Sequence, residues 1–102
     1  MSAVPFLLAA EEEFIHAIAV YEAERPGLGA EFLAEVERAA RRIVSFPEHG
    51  GRYLAGTRRI VLRRFPYNVV YWPDPEDRLV IAVSHQRRSP DHWRKRLRPD
   101  RR

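Results

Sequence analysis

The densest chemistry in the sequence lies in IAVSHQRRSPDHWRKR, residues 81–96. An apolar, strand-like run ends in His85, and Arg87 and Arg88 follow at once. A second basic pair, Arg63 and Arg64, closes an earlier apolar run. Arginine offers phosphate a planar, permanently charged fork. Histidine exchanges a proton near neutral pH. Such groups suit RNA cleavage without a metal. A base takes the 2′-OH proton, arginine steadies the charge developing on phosphate, and an acid protonates the leaving oxygen. Arg64 and His85 are the candidate catalytic residues for that reaction, with Glu48 as a conceivable partner base in a flexible connection. The same residues also fit a plainer reading, in which a strand-end histidine bonds a neighbouring turn and the arginines are solvated. Trp72, Tyr67, Tyr71 and Trp93 suit stacking on bases, or equally a core or a protein-binding surface. The ending WRKRLRPDRR suits phosphate contacts or a solvated tail.

Other chemistries lack their residues. The histidines at 16, 49, 85 and 92 form no HxxxH pair, and there is no cysteine, so no metal site is expected. None of the serines at 2, 45, 84 and 89 sits in a GxSxG elbow. Ser84 and His85, adjacent on a strand, point to opposite faces. Walker A and GxGxxG motifs are absent. No cofactor is expected.

These residues need a scaffold, and the periodicity supplies one. Residues 3–8 read as a short strand, limited by Pro5 to an edge or a strand start. A helix follows over 9–24, with Phe14, Ile15, Ile18 and Tyr21 as its apolar stripe. RPGLG, residues 25–29, breaks it. A second helix over 28–46 carries Phe32, Val36, Ala39, Ala40, Ile43 and, less regularly, Phe46 on one face. So short a turn implies an antiparallel helical hairpin. After a Gly-rich connection the period changes to two. Strands are expected over 57–65, 67–72 and 79–85, the last with Leu79, Ile81 and Val83 on one face. Short turns between them make an antiparallel meander. A terminal helix over 90–97 would have Ser89 as N-cap and Pro90 in first position. The order β-α-α-β-β-β segregates helices from strands. The fold class is therefore α+β, a helical hairpin on a small twisted sheet, in one domain over residues 1–102.

The bulk numbers agree with a folded domain. The 102 residues are 45% hydrophobic and 31% charged. The start, MSAVPFLLAA, has no basic n-region and runs into three glutamates, so no signal peptide is expected. No apolar run reaches a membrane-spanning length, and the missing cysteines fit a reducing cytoplasm. Charge is polarised. Residues 1–46 carry four basic and eight acidic side chains, whereas residues 47–102 carry fourteen basic and six acidic. The basic half is suited to phosphates or an acidic protein. The 17 arginines against one lysine also reflect a compositional preference for arginine.

Three segments, taken in order, carry a resemblance: PGLGAEFLAEVERAARRI (26–43), GTRRIVLRRFPYNVVYW (56–72) and IAVSHQRRSPDHWRKR (81–96). Together they resemble the RelE/ParE superfamily of type II toxin–antitoxin toxins, most closely the ParE branch, over nearly the whole chain. The pieces RRFPY and AVSHQRRSPDHW are specific in this order and spacing.

The resemblance implies a small bacterial toxin, neutralised by a cognate antitoxin whose disordered C-terminal segment folds on the toxin, and an oligomer with that antitoxin. RelE-like members cut mRNA on the ribosome. ParE-like members are associated with poisoning DNA gyrase, and lack the nuclease set. Arg64 and His85 fall near the arginine and histidine of that set, but the sheet carries no lysine and the ending RRSPDHWRKR departs from the nuclease pattern. The ParE reading is favoured. It makes Arg63, Arg64, His85, Arg87, Arg88, Trp93 and Arg94 the expected target-binding surface. Phe14, Ile18, Tyr21, Phe32 and Val36 are the expected antitoxin contacts on the helices. The alternatives are a ribosome-dependent endoribonuclease using Arg64 and His85, and a non-toxic nucleic-acid-binding module.

Overall fold

A computed structural model describes residues 4–97. The start of the expected first strand at Ala3, and the last five residues of the basic ending, lie outside the described residues. The element order is α1 (Leu8–Glu24), α2 (Leu28–Ser45), β1 (Gly51–Arg52), a 3-10 turn (Leu54–Gly56), β2 (Arg58–Val61), β3 (Tyr67–Trp72), β4 (Leu79–His85) and α3 (Asp91–Arg94). The α+β class and the helix-hairpin-then-meander order are as expected. The N-terminal strand shrinks to one parallel bridge between Phe6 and Val80. It is fixed by Val80 N–H to Pro5 O and Leu7 N–H to Val80 O, both 2.9 Å. Pro5 has no N–H to extend the ladder.

The hairpin turns at Gly27, whose φ of 91° suits glycine. The Glu22 carboxylate accepts the N–H groups of Gly27 and Gly29 at 3.0–3.1 Å. A negative charge thus satisfies orphan donors at the positive end of α2. α2 buries Phe32, Val36, Ala39, Ala40 and Ile43 as its periodicity predicts, and buries Glu35 with them. α1 buries Ala10, Phe14 and Ala17. Ile15, expected in that stripe, is exposed, and so is Phe46 beyond the end of α2.

The sheet is antiparallel in the order β1-β2-β3-β4. β1 is a two-residue strand within the Gly-rich connection, and it pairs Gly51 with Arg59 and Arg52 with Arg58. Between β3 and β4 the register shifts: Val70 faces Ala82 but Tyr71 faces Val80. Ile81 is thus the extra residue of a bulge, and strand alternation breaks there. The expected common face of Leu79, Ile81 and Val83 is therefore wrong. Val80 and Val83 pack with the helices, while Leu79, Ile81 and Ala82 pack on the opposite side.

Two cores result. The larger joins α1 and α2 to Ile60, Leu62, Val69 and Tyr71. The smaller covers the other face, where Trp93 sits on Val70, Ile81 and Ala82 with Tyr53, Leu54 and Leu97 around it. The segment carrying Trp93 is held by Glu13 of α1. Its carboxylate accepts Arg96 Nη1 at 3.0 Å, Arg96 Nη2 at 2.8 Å and the Val83 N–H at 3.1 Å. Arg96 also donates to Ile81 O at 3.0 Å, and His92 Nε2 lies 3.3 Å from the same carboxylate. A bidentate arginine on a carboxylate is the strong form of ion pair. It seals the outer edge of β4.

At the opposite edge, Tyr71 anchors the connection. Its hydroxyl accepts the buried Gly50 N–H at 3.0 Å and donates to Pro47 O at 2.6 Å. A Cβ on residue 50 would lie 2.7 Å from that oxygen, so the site requires glycine. Burial pushes the phenols of Tyr71, Tyr67 and Tyr21 above the ordinary tyrosine range. A raised folded-state pKa means that stability is fully present below the unfolded value of about 10 and is lost as pH rises past it. Tyr71→Phe should cost about 1–3 kcal/mol by orphaning two backbone groups, and should also soften the alkaline loss. Urea unfolding at neutral and alkaline pH reads both. A variant as stable as the parent would show that the anchor does not matter.

Candidate functional site

The β2–β3 turn, residues 62–66, places Arg63 and Arg64 at one end of the sheet. The register brings His85 to the same end, opposite Tyr67. The backbone then ties the two turns together. Gln86 N–H donates to Pro66 O at 2.8 Å, and Arg88 N–H donates to His85 O at 3.0 Å. Arg63, Arg64, His85, Arg87 and Arg88 therefore share one end, and all but half-buried His85 are exposed.

Each has a fixed role there. Glu35 Oε2 accepts the backbone N–H of Arg63 at 2.8 Å and of Arg64 at 3.4 Å, which explains a buried carboxylate on α2. The Arg64 guanidinium bonds Glu31, with Arg25 3.8 Å from the same oxygen. Arg64 thereby holds the Glu31 carboxyl below the usual range, by hydrogen bond first and charge second. The His85 ring packs on Tyr67 with centroids 5.2 Å apart, and its Nδ1 accepts the Arg87 N–H at 3.1 Å. A backbone N–H only donates, so the neutral ring carries its proton on Nε2. The outward nitrogen is a donor. Glu48 lies elsewhere: its carbonyl accepts Arg58 Nη1 at 3.2 Å. Arg58 faces Tyr71, four residues along β3 from Tyr67, or about 13 Å at strand rise. The structure thus offers His85 no Glu48 partner, and Arg64 is already paired.

Several expected surface residues are core. Trp93 is 1% exposed and fills the smaller core, so it is not on a target-facing surface. Arg94 is exposed, 4.0 Å from Asp91. Ser89 Oγ accepts the Asp91 N–H at 3.2 Å, and Pro90 stands at the cap of a helix that ends at Arg94 rather than residue 97. Among the expected antitoxin contacts, Phe32 and Val36 are fully buried and Phe14 is nearly so, because the apolar stripes face the sheet. Ile18 and Tyr21 are half-buried. The exposed apolar side chains of the two helices are Leu8, Ile15, Val20, Leu33 and Val44. Among the described residues no three His, Asp or Glu side chains gather as for a metal, and no helix is long and apolar enough to cross a membrane.

Sequence reading missed a groove of about 730 Å³ between α2 and the β1–β2 edge. One wall carries Arg38 and Arg42, and the other carries Arg52 and Arg63. Arg59 also borders the groove, but its strand partner is Val70 and its guanidinium stacks on Tyr53, on the face of the sheet away from the helices. The Arg38–Arg42 spacing of four on the polar face of α2 was the available signal. The opposite wall is supplied by residues far away in the chain.

The sequence model of a family described as "ParE toxin of type II toxin-antitoxin system, parDE" matches residues 4–90. Among solved structures, the chain is similar to one described as "Chromosomal ParDE TA system from P. aeruginosa". The TM-score is 0.70 at 11% identity, covering 83% of this chain and 96% of that one. At that identity the likeness is one of fold. No curated protein matches the sequence.

Proposed function

Because this chain belongs to the ParE family of type II toxin–antitoxin toxins, we infer that it arrests bacterial growth in the cytoplasm by poisoning DNA gyrase, and that a cognate antitoxin neutralises it. The family match over residues 4–90 carries this reading. The geometry of the strand-end site supports binding over catalysis. Arg64 is held by Glu31, the inward nitrogen of His85 caps a turn, and Glu48 is at the other end of the sheet. Catalysis by proton transfer needs a paired acid and base within reach of one substrate, whereas a binding surface needs only fixed donors. Arg63, Arg64, His85, Arg87 and Arg88 supply them, with Arg94 nearby in sequence. The antitoxin contacts fall to the exposed apolar side chains of α1 and α2, with Ile18 and Tyr21 at their margin.

The test is a gyrase assay with purified protein, scoring trapped cleaved DNA and lost supercoiling. The expected result is cleavage that requires both gyrase and this chain, weakened about tenfold or more by Arg87→Gln/Arg88→Gln, in line with loss of charged interface contacts. His85→Gln keeps a side-chain donor and should retain most of the effect. If folded, growth-arresting protein leaves gyrase untouched but cuts mRNA on ribosomes, and His85→Gln abolishes that cutting, the nuclease reading replaces this one.

A further inference from the structure

Apart from Arg63 and Arg64 at its end, the groove beside α2 has no part in the reading above, yet its other arginines lack acidic partners. No carboxylate among the described residues pairs with Arg38, Arg42, Arg52 or Arg63. The one acidic lining residue, Glu35, already accepts two backbone N–H groups through Oε2. Its Oε1 is buried without a partner. Arg59 is turned to the other face of the sheet, with Cζ 4.3 Å above the Tyr53 ring, and Tyr53 lies 5.7 Å from Trp93, so the facing charges are Arg38 and Arg42 against Arg52 and Arg63. Like charges gathered on two facing walls repel one another, and a polyanion between them relieves that repulsion.

We propose that this groove holds the phosphate backbone of a DNA strand. The assignment rests on the gyrase reading, which makes DNA the polyanion at hand. Guanidinium forks match phosphate geometry. Arg38 and Arg42 stand one helical turn apart, about 6 Å along the axis. The groove runs on to Arg63 and Arg64, so it is continuous with the strand-end surface.

An acidic peptide fits less well. Strand addition needs a run of free backbone groups and alternating side-chain pockets. Here β1 already covers β2 at Arg58 and Arg59, and the Arg63 N–H is bonded to Glu35. The uncovered outer edge is reduced to Val61, which is also the one large, exposed apolar side chain in the groove.

The experiment is fluorescence anisotropy of a labelled single-stranded oligothymidylate with the full chain across a salt series. About four phosphate contacts predict a slope of log K against log salt near −3, from about −0.7 per contact on single strands. Arg38→Gln/Arg42→Gln and Arg52→Gln/Arg63→Gln should each reduce the slope by about 1.4 and weaken binding about tenfold. Arg41→Gln/Lys95→Gln removes the same charge outside the groove and should leave the slope unchanged. All the substituted side chains are polar and partly or fully exposed, and thermal melts check that each variant folds. Equal losses in the control pair, absence of binding at low salt, or tighter binding of a polyglutamate peptide would each overturn the proposal. The gyrase assay separates the two readings. Groove-dependent DNA binding without trapped cleavage would end the gyrase reading and leave the groove assignment standing. Normal trapping by a chain lacking all four arginines would remove DNA at gyrase as the ligand.

Discussion

Phe32→Ala is expected to lower stability by about 3–5 kcal/mol, the range for deleting a buried aromatic side chain. Phe32 is 0% exposed. Its ring centroid lies 5.0–5.2 Å from those of Tyr67, Phe65 and Tyr21, and 6.0 Å from that of Phe14. It therefore joins both helices to the β2–β3 turn. Alanine would leave a cavity among rings that are already tied elsewhere: Tyr67 against His85, and Phe65 beneath Arg64. A loss of that size is a third or more of the stability of many domains. It corresponds to a midpoint about 15–25 °C lower. Phe32→Leu refills most of the volume and should cost about 1–2 kcal/mol. Denaturant unfolding, read as midpoint and slope, checks both. A loss below about 1 kcal/mol, coupled with weaker antitoxin binding, would instead make Phe32 a partner contact, as its place on a helix stripe first suggested.

That contrast shows what periodicity conveys. The positions 32, 36, 39, 40 and 43 define a helix face unambiguously, and the structure buries all five. Periodicity says that a face is apolar. It does not say whether the sheet or a partner covers it. On α1 the pattern is less decisive, because apolar residues recur around the whole helix. Ile15 stands beside Phe14 in sequence but about 100° away around the axis, and it faces solvent. β1 is too short to show a period. The β4 bulge was hidden because residues 79–83 are all apolar, so either face could be assigned to Leu79, Ile81 and Val83. The shift arises from pairing with β3, a tertiary event.

The strand-end cluster was legible because strand ends follow from turns. RRFPY and SHQRR each sit where an apolar run stops, and a meander brings such stops together. The states of those side chains were not legible. The partner of Arg64 is Glu31, 33 residues earlier, and the Arg63 and Arg64 backbone is held by Glu35. The groove was harder still. Arg38 and Arg42 look like an ordinary solvated helix face, and Arg52 looks like a polar position in a Gly-rich connection. Their meaning comes from facing one another across a concave surface whose one carboxylate, Glu35, is occupied by backbone N–H groups.

Trp93→Ala is the substitution that separates structure from function most sharply. In the sequence, a tryptophan among HWRKR reads as a binding aromatic. In the structure it is 1% exposed and closes the smaller core over Val70, Ile81 and Ala82. Its loss should cost about 3–5 kcal/mol. It should also loosen the Tyr53 ring that carries Arg59 on the same face. The Glu13–Arg96 pair should keep the segment docked at its far end, so the change is a softened face rather than a detached one. Trp93→Phe keeps an aromatic plug and should recover more than half of the loss. If Trp93 acts only through this core, gyrase trapping by each variant should follow its folded fraction and return for Trp93→Ala on cooling. Trapping lost at an unchanged melting temperature would put Trp93 on the target after all, and would require the segment after β4 to leave its seat when the toxin binds.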